Sequence, residues 1–181
     1  MCPIFFSFLK DIGDSSPKDL IFAAMMDDRY NFLQAKLNFP EIELKIEEMD
    51  GKLNIFDSLR KKYLILSPEE WVRQHMITFL VQFRNYPKSL FAIEKGLKYN
   101  QLQKRSDILI VDRKGDPFLL IECKAPEVKL TQKTMEQVTV YNQSVQAAFV
   151  GISNGVQHLF FAYDRASNNY KQIQGLPEFK V

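Results

Sequence analysis

Two apolar runs joined by a short polar turn constrain this chain more than any other feature, because each run carries charged residues. The first run is DILIV, which begins at Asp107, and the second is FLLIECK, which ends at Lys124. Near-continuous apolar runs are typical of strands that are covered on both faces of a sheet. A chain of 181 residues is long enough to bury one such sheet. The sequence therefore predicts two central strands with ionisable side chains.

The turn between the runs predicts which charged residues meet. With Lys114 and Gly115 as a two-residue hairpin turn, Asp107 lies directly opposite Glu122. Opposed residues have Cβ atoms about 4.5–5.5 Å apart, and like charges there are destabilising. Lys124 lies two residues beyond Glu122 and shares its face. We expect the two carboxylates and the ammonium group to form one cluster.

Two interpretations of this cluster remain open. On an exposed face, Lys124 would neutralise the carboxylates in a surface ion pair, which contributes under about 1 kcal/mol. On a covered strand, the carboxylates need a stronger cation, and a divalent metal with oxygen ligands meets that need. Mg²⁺, which binds few protein carboxylates and keeps several waters, suits such a pair.

The rest of the sequence predicts an α/β (α+β) fold with helices packed on a mixed sheet. Helices are expected where Ser-Pro pairs or amphipathic spacing indicate them: 16–35, 67–83 and 131–146. Strands are expected where apolar residues alternate or cluster between turn signals: 41–47, 52–56, 62–66, 91–99, 105–112, 117–124, 147–153 and 156–163. The first three strands form a small antiparallel β-meander around Asp50-Gly51.

The charged residues resemble a nuclease signature. Asp107 and the tripeptide Glu122-Cys123-Lys124 resemble the D…ExK pattern of the PD-(D/E)xK superfamily, with Ser106 where a proline often lies. The segments LSPEEWVRQHMITFLVQ, KRSDILIVD and LLIECKAPEVKLTQ resemble the N-terminal nuclease domain of type I restriction enzyme R subunits, in a short stand-alone form. The resemblance implies a restriction-endonuclease-like domain at 38–181, after an N-terminal helical extension at 1–37.

The resemblance also implies roles for the motif residues. Asp107 and Glu122 would bind Mg²⁺ or Mn²⁺, with the backbone carbonyl of Cys123 as a further ligand. Lys124 would position the attacking water or stabilise charge on the phosphate. The reaction implied is hydrolysis of DNA phosphodiester bonds.

The superfamily usually adds a carboxylate from a preceding helix, and Glu69 and Glu70 compete for this role. Ser67 and Glu70 have the spacing of a capping box, so Glu70 has a structural role available. Glu69 heads the apolar stripe of Val72, Met76, Leu80 and Phe83. We therefore favour Glu69 and keep Glu70 as the alternative.

The second predicted helix carries Gln137 and Tyr141, which are four residues apart and share a face. They resemble the QxxxY element of RecB-like nucleases, where Gln helps to hold the site and the scissile strand. A solvent-facing Gln with a half-buried Tyr is an equally weighted alternative. Four basic residues flank the motif as candidate phosphate contacts: Lys104, Arg105, Lys129 and Lys133.

The remaining features narrow the function class. His75 is expected to be exposed and His158 to be a satisfied structural histidine, so zinc has little support. The sequence has no signal-peptide pattern, membrane span or GxxxxGK[ST] motif. We therefore expect a cytoplasmic protein with no membrane contact, whose DNA translocation would need a separate motor or specificity protein. The alternative is a non-catalytic nucleic-acid-binding or interaction module with the same fold.

Overall fold

Two β-sheets organise the part of the chain that the computed structural model describes, which is residues 21, 24, 26–92 and 107–179. The small sheet is antiparallel in chain order, with strands β1 (Ile46–Met49), β2 (Lys52–Asp57) and β3 (Lys62–Ile65). The large sheet has strands β4 (Ile108–Val111), β5 (Pro117–Cys123), β6 (Phe149–Ser153), β7 (His158–Asp164) and β8 (Asn169–Ile173). Its strands lie in chain order, and within it only β5 and β6 pair in parallel.

Two α-helices flank the large sheet. Helix α1 (Pro68–Phe83) begins after Ser67, whose hydroxyl accepts the backbone N–H of Glu70 at 3.1 Å. Helix α2 (Gln132–Val145) begins after Thr131, which forms a capping box with Thr134. Short 3₁₀ helices span Asp28–Gln34 and Lys88–Leu90. The mixed sheet flanked by helices and preceded by a meander confirms the predicted fold class. Within the described ranges, no helix is long and apolar enough to cross a bilayer.

The register of β4 against β5 confirms the pairing that the sequence predicts at one end of the hairpin. Ile108 pairs with Ile121 and Leu109 with Leu120. One step beyond these pairs, Asp107 faces Glu122. The alternation of β5 therefore brings the two predicted carboxylates together.

The turn of this hairpin is longer than predicted. Val111 pairs with Pro117, one residue out of step with the other pairs, and leaves a loop at 112–116. The Asp112 side chain accepts the backbone N–H groups of Lys114 and Asp116 at 2.8 and 2.9 Å. The predicted two-residue turn is wrong because Asp112 stabilises a wider loop, and a bulge absorbs the extra residue.

Several predicted elements differ at their bounds. The first part of the helix predicted at 16–35 lies largely outside the described residues, and its last part is wrong because Asp27 caps a separate 3₁₀ helix. The first meander strand begins at Ile46 rather than residue 41. The strand predicted at 91–99 lies mostly outside the described residues, and Phe91 forms an isolated bridge to Ile110. The sequence reading missed β8 because this edge strand is mostly exposed and has no apolar alternation.

Apolar clusters cover both faces of the large sheet. One cluster joins α1 to β4 and β5 and contains Val72, Met76, Leu80, Ile108, Ile110, Leu119, Ile121 and Cys123. The other joins α2 to the opposite face and contains Leu109, Leu120, Val138, Val145, Val150 and Ile152. Strands β4 and β5 are thus central strands, as their apolar runs predict.

A buried ionic network attaches the small sheet to α1. The Asp57 carboxylate, which is fully buried, binds the guanidinium groups of Arg60 and Arg73 at 2.8 and 2.9 Å. Arg73 also binds Glu70 at 2.6 Å, and Glu70 accepts a further hydrogen bond from Gln74 at 2.8 Å. Arg73 therefore holds one carboxylate from each of the two elements.

Removing the central cation of this network should destabilise the fold. Arg73→Met leaves the Asp57 charge buried with less compensation, which costs about 3–5 kcal/mol. Asp57→Asn should recover part of this loss in the double variant, since the neutral amide can still accept the N–H of Leu59. Urea denaturation of the wild type, both single variants and the double variant measures the coupling. Additive single effects would contradict the network.

The structure corrects the prediction for His75 and agrees with the one for His158. His75 is 7 % exposed, which corrects the expectation of an exposed residue. Its Nδ1 lies 2.9 Å from the Trp71 carbonyl, and its ring stacks on Phe39. The helical periodicity missed this burial because Phe39, which lies outside the helix, packs on the His75 ring. His158 is a satisfied structural histidine, as expected: its ring nitrogens lie 2.7 Å from Ser153 Oγ and 3.0 Å from the Asn38 carbonyl.

The buried His75 should make stability depend on pH. Burial lowers the pKa of His75 to about 4, against 6.5 for an unburied imidazole. The unfolded chain therefore binds more protons between these values, and the folded protein should lose up to about 3 kcal/mol as pH falls through this window. His75→Gln should flatten this part of the curve. The free energy of unfolding in urea at pH 7.5, 6.0 and 5.0 tests this, and an unchanged slope would contradict it.

Candidate functional site

Asp107 lies immediately before β4, where the chain enters the large sheet. Its side chain is half-buried, and its Oδ2 accepts the backbone N–H of Cys123 at 2.7 Å. A carboxylate held by a backbone donor on the neighbouring strand has a fixed orientation. The hydrogen bond therefore ties the start of β4 to the end of β5.

Glu122 and Lys124 lie at the end of β5 and form an ion pair. Lys124 Nζ is 2.8 Å from Glu122 Oε1, and the two side chains are 22 % and 29 % exposed. The backbone N–H of Lys124 donates to the Ser153 carbonyl at 2.8 Å, which extends the contact between β5 and β6. The motif thus has a rigid backbone and partly solvent-accessible charges.

The electrostatics show that the carboxylate pair has too little compensating charge. Burial, and after it the charge of Glu122, raise the pKa of Asp107 to about 6, against the opposing effects of the Cys123 N–H, Arg73 and Lys124. Burial alone would lower the pKa of Lys124, but the hydrogen bond to Glu122 and the nearby carboxylates raise it above its ordinary value. An additional cation beside Asp107 and Glu122 would relieve the repulsion between the two carboxylates.

Cys123 contributes its side chain to the core rather than to the site. The side chain is 2 % exposed and packs in the cluster on the α1 face, whereas Glu122 lies on the other side of the strand. Burial, followed by the charge of Asp107, raises the pKa of the thiol well above its ordinary value. The thiol is therefore held neutral, and only the backbone of Cys123 can act in the site.

The two candidate glutamates of α1 have different environments. Glu69 is exposed, and its negative charge contributes to the raised pKa of Lys124. Glu70 is half-buried, and its carboxylate is held by Arg73 and Gln74. Its carboxylate therefore serves the ionic network, while its backbone N–H meets the Ser67 cap. The choice of Glu69 over Glu70 stays a prediction.

The described residues supply few metal ligands. Within the described ranges, no three His, Cys, Asp or Glu side chains are grouped closely enough to hold a metal ion. The two carboxylates of Asp107 and Glu122 would therefore need backbone carbonyl oxygens and water to complete a coordination sphere. This donor set suits Mg²⁺, which retains waters, better than a metal that needs an all-protein cage.

The remaining candidates lie on α2, in the loop before it or outside the described residues. Gln137 is exposed, and the half-buried Tyr141 packs on the α2 face of the sheet. This arrangement is compatible with both interpretations of the QxxxY element. Lys129 and Lys133 are exposed. Lys104 and Arg105 lie outside the described residues, so their role stays a prediction.

The structure adds residues that the sequence reading missed. Arg73 is buried and its charge acts on Asp107. The spacing of Glu70 and Arg73 on one helix face was the signal that could have found it. Asn154 was recognised only as a turn residue, but its amide donates to the Val128 carbonyl at 2.9 Å. This bond fixes the loop that follows Lys124 and carries Lys129.

The carboxylate pair lies outside the cleft found in the described structure. The cleft has a volume of about 570 Å³ and lies between the 3₁₀ helix at Asp28–Gln34, Pro68 and the Pro126-Glu127 turn. Its lining does not include Asp107, Glu122 or Lys124. The carboxylate pair therefore lies outside this open cleft. A partly exposed pair at the end of a sheet is accessible to a large substrate.

Comparisons with known proteins identify the family. The model of the family described as "Type I restriction enzyme R protein N terminus (HSDR_N)" matches residues 68–177, which include α1, the Asp107–Glu122–Lys124 cluster and α2. The meander and the segment before it lie outside the match. No curated protein and no solved structure gives a significant match. Since the matched segment covers more than half of the chain, this protein belongs to the type I restriction enzyme R protein N-terminal family.

Proposed function

We propose that this chain is a metal-dependent nuclease domain that hydrolyses DNA phosphodiester bonds. The observation that carries the proposal is the cluster of Asp107, Glu122 and Lys124 on two adjacent covered strands. A structural ion pair would not need a second carboxylate directly opposite the first. Membership of the restriction enzyme family supports DNA as the substrate.

The residues present fit a hard divalent cation. Asp107 and Glu122 supply two carboxylates, and the Cys123 carbonyl and water would supply further oxygen ligands. Lys124 is the cation paired with Glu122, and the pKa of Asp107 is raised by burial and by the charge of Glu122. A bound Mg²⁺ or Mn²⁺ would relieve this repulsion, lower the pKa of a bound water and offset charge on the phosphate.

The protein residues have distinct parts in the proposed reaction. The Cys123 N–H holds the Asp107 carboxylate in a fixed orientation, so this carboxylate need not reorganise when it binds the metal. The Lys124 ammonium group, which donates to Glu122, would donate to the attacking water or to a phosphate oxygen. The negative charge of Glu69 acts on the Lys124 ammonium group. Glu69 is the candidate for the additional helix carboxylate.

A non-catalytic nucleic-acid-binding module is the second candidate function. It is favoured by one observation, namely that no third metal-binding side chain joins Asp107 and Glu122 within the described ranges. A module of this kind would bind DNA without a metal and without either carboxylate. Like the nuclease, such a module would depend on a separate motor or specificity protein for DNA translocation or sequence recognition.

Cleavage assays distinguish the two functions. We expect the wild type to nick supercoiled plasmid or cut single-stranded DNA with Mg²⁺ or Mn²⁺. Lys124→Ala should lower the rate by about 10²-fold or more, because it removes a donor that acts in the transition state. Lys171→Ala is the matched control, since this exposed lysine lies on edge strand β8. Gel quantification of nicked and linear products gives the rates.

Each pattern of cleavage has a separate meaning. Loss of activity in Lys124→Ala but not in Lys171→Ala supports the proposed site. Equal cutting by wild type and Lys124→Ala would show that the site is misplaced or that the activity is a contaminant. No metal-dependent cutting by the wild type would favour the binding module.

Metal binding can be measured without activity. Mn²⁺ at about 100 times its Kd should stabilise the wild type by about 2.7 kcal/mol, because the ion binds the folded site. Glu122→Gln should fold normally in the absence of metal, since it removes one of two opposed charges, but it should lose this stabilisation. Thermal unfolding with EDTA and with Mn²⁺ measures both effects.

Cys123→Ala is the matched control for this measurement. It keeps the backbone carbonyl and N–H while it removes only a buried thiol, so Mn²⁺ should still stabilise it. If Mn²⁺ stabilises Glu122→Gln as much as the wild type, Glu122 is not a ligand. If a folded Cys123→Ala protein is no longer stabilised by Mn²⁺, the sulfur takes part in metal binding. The assignment of the Cys123 backbone carbonyl as the metal ligand is then wrong.

A further inference from the structure

A basic segment spans the turn between β2 and β3 and the first residue of β3. It contains Arg60, Lys61 and Lys62 in succession. The side chains of Lys61 and Lys62 are exposed, and neither makes an ion pair with any residue in the described ranges. Two adjacent ammonium groups are thus exposed to solvent, one at the end of the turn and one at the start of β3.

Asp57 makes this turn rigid. Its fully buried carboxylate accepts the backbone N–H groups of Leu59 and Arg60 at 2.8 and 2.9 Å, and its backbone carbonyl accepts the N–H of Lys61 at 2.7 Å. The Arg60 guanidinium completes the contacts at 2.8 Å. The two lysines therefore project from a preorganised backbone rather than from a loose loop.

The backbone of Lys61 is left-handed, with φ of 53°. Glycine or asparagine adopts this conformation at lower cost than lysine. The other non-glycine residues with positive φ among the described residues are acidic or amide residues: Asp50, Asn85, Gln146 and Asn168. Backbone geometry therefore does not account for a lysine at this position, which points to a role for its side chain.

A single guanidinium group connects this turn to the candidate site. Arg73 binds Asp57, which anchors the turn, and it binds Glu70 in the first part of α1. The positive charge of Arg73 also acts on Asp107 and Cys123. The same buried arginine thus contacts the residue that anchors the basic turn and acts through its charge on the acidic cluster.

We propose that Lys61 and Lys62 bind backbone phosphates of DNA whose scissile bond lies at the Asp107–Glu122 cluster. The inference rests on the proposed function for the identity of the ligand and extends it to a surface outside the family match. The acidic cluster itself repels a phosphate backbone, so binding needs cations beside it. The basic turn supplies two such cations in a fixed position.

The test is DNA binding by the full chain under conditions that prevent cleavage. Fluorescence anisotropy with a labelled duplex in EDTA, at several salt concentrations, compares the wild type with Lys61→Asn/Lys62→Gln. Asn is chosen because it tolerates the left-handed backbone. We expect Kd to rise about 10-fold and the magnitude of the salt slope to fall by about 2, one unit for each lost phosphate contact.

The matched control removes the same charge from another turn. Arg113→Gln/Lys114→Gln changes two exposed basic residues in the loop between β4 and β5, at the far end of the strands from Asp107 and Glu122. This variant should keep the affinity and salt slope of the wild type. Equal losses in both variants would show a general charge effect and overturn the proposal.

Cleavage by the wild type separates this proposal from the proposed function. If the wild type cuts DNA but the lysine variant binds with unchanged Kd and salt slope, the basic turn is not a DNA contact and the nuclease function stands. If the variant binds less tightly but the wild type never cuts, the contact stands and the nuclease function is wrong. If the wild type binds no DNA, both are wrong.

Discussion

The pairing of β4 with β5 is the constraint on which the candidate site depends. It places Asp107 against Glu122, where two carboxylates repel each other, and the apolar faces on both sides of the strands limit their access to water. The hydrogen bond from the Cys123 backbone and the ion pair with Lys124 offset only part of that repulsion. The cation that we propose, bound by both carboxylates, would stabilise this arrangement.

A second polar cluster, built on Arg73, ties the small sheet to this site. Arg73 holds Asp57 of the small sheet and Glu70 of α1, and its charge acts on Asp107. Replacing a buried ion pair with apolar residues is often neutral or stabilising, so stability alone is a weak reason for such a cluster. The geometry of the Arg73 cluster gives a second reason for it, because the cluster anchors the basic turn at Lys61 and Lys62 to α1.

Local sequence patterns predicted the elements well where one strong signal decided the structure. Ser67 and Pro68 fixed the start of α1, and the Asp50-Gly51 pair fixed the first hairpin. The predicted two-residue turn at Lys114 and Gly115 was wrong because hydrogen bonds to the Asp112 side chain widen the loop. An apolar pattern contains no information on such bonds. The predicted exposure of His75 was wrong for a related reason, since Phe39 from a distant segment covers its ring.

By itself, the sequence determined the strand alternation, and with it the grouping of Asp107, Glu122 and Lys124, because side chains repeat every two residues along a strand. Only the tertiary structure decided which glutamate of α1 joins the ionic network. Likewise, it decided that Arg73 is buried and joins Asp57, which anchors the turn before Lys62, to Glu70 of α1. These contacts join residues from separate elements, and their energies depend on burial and distance, which no local pattern contains.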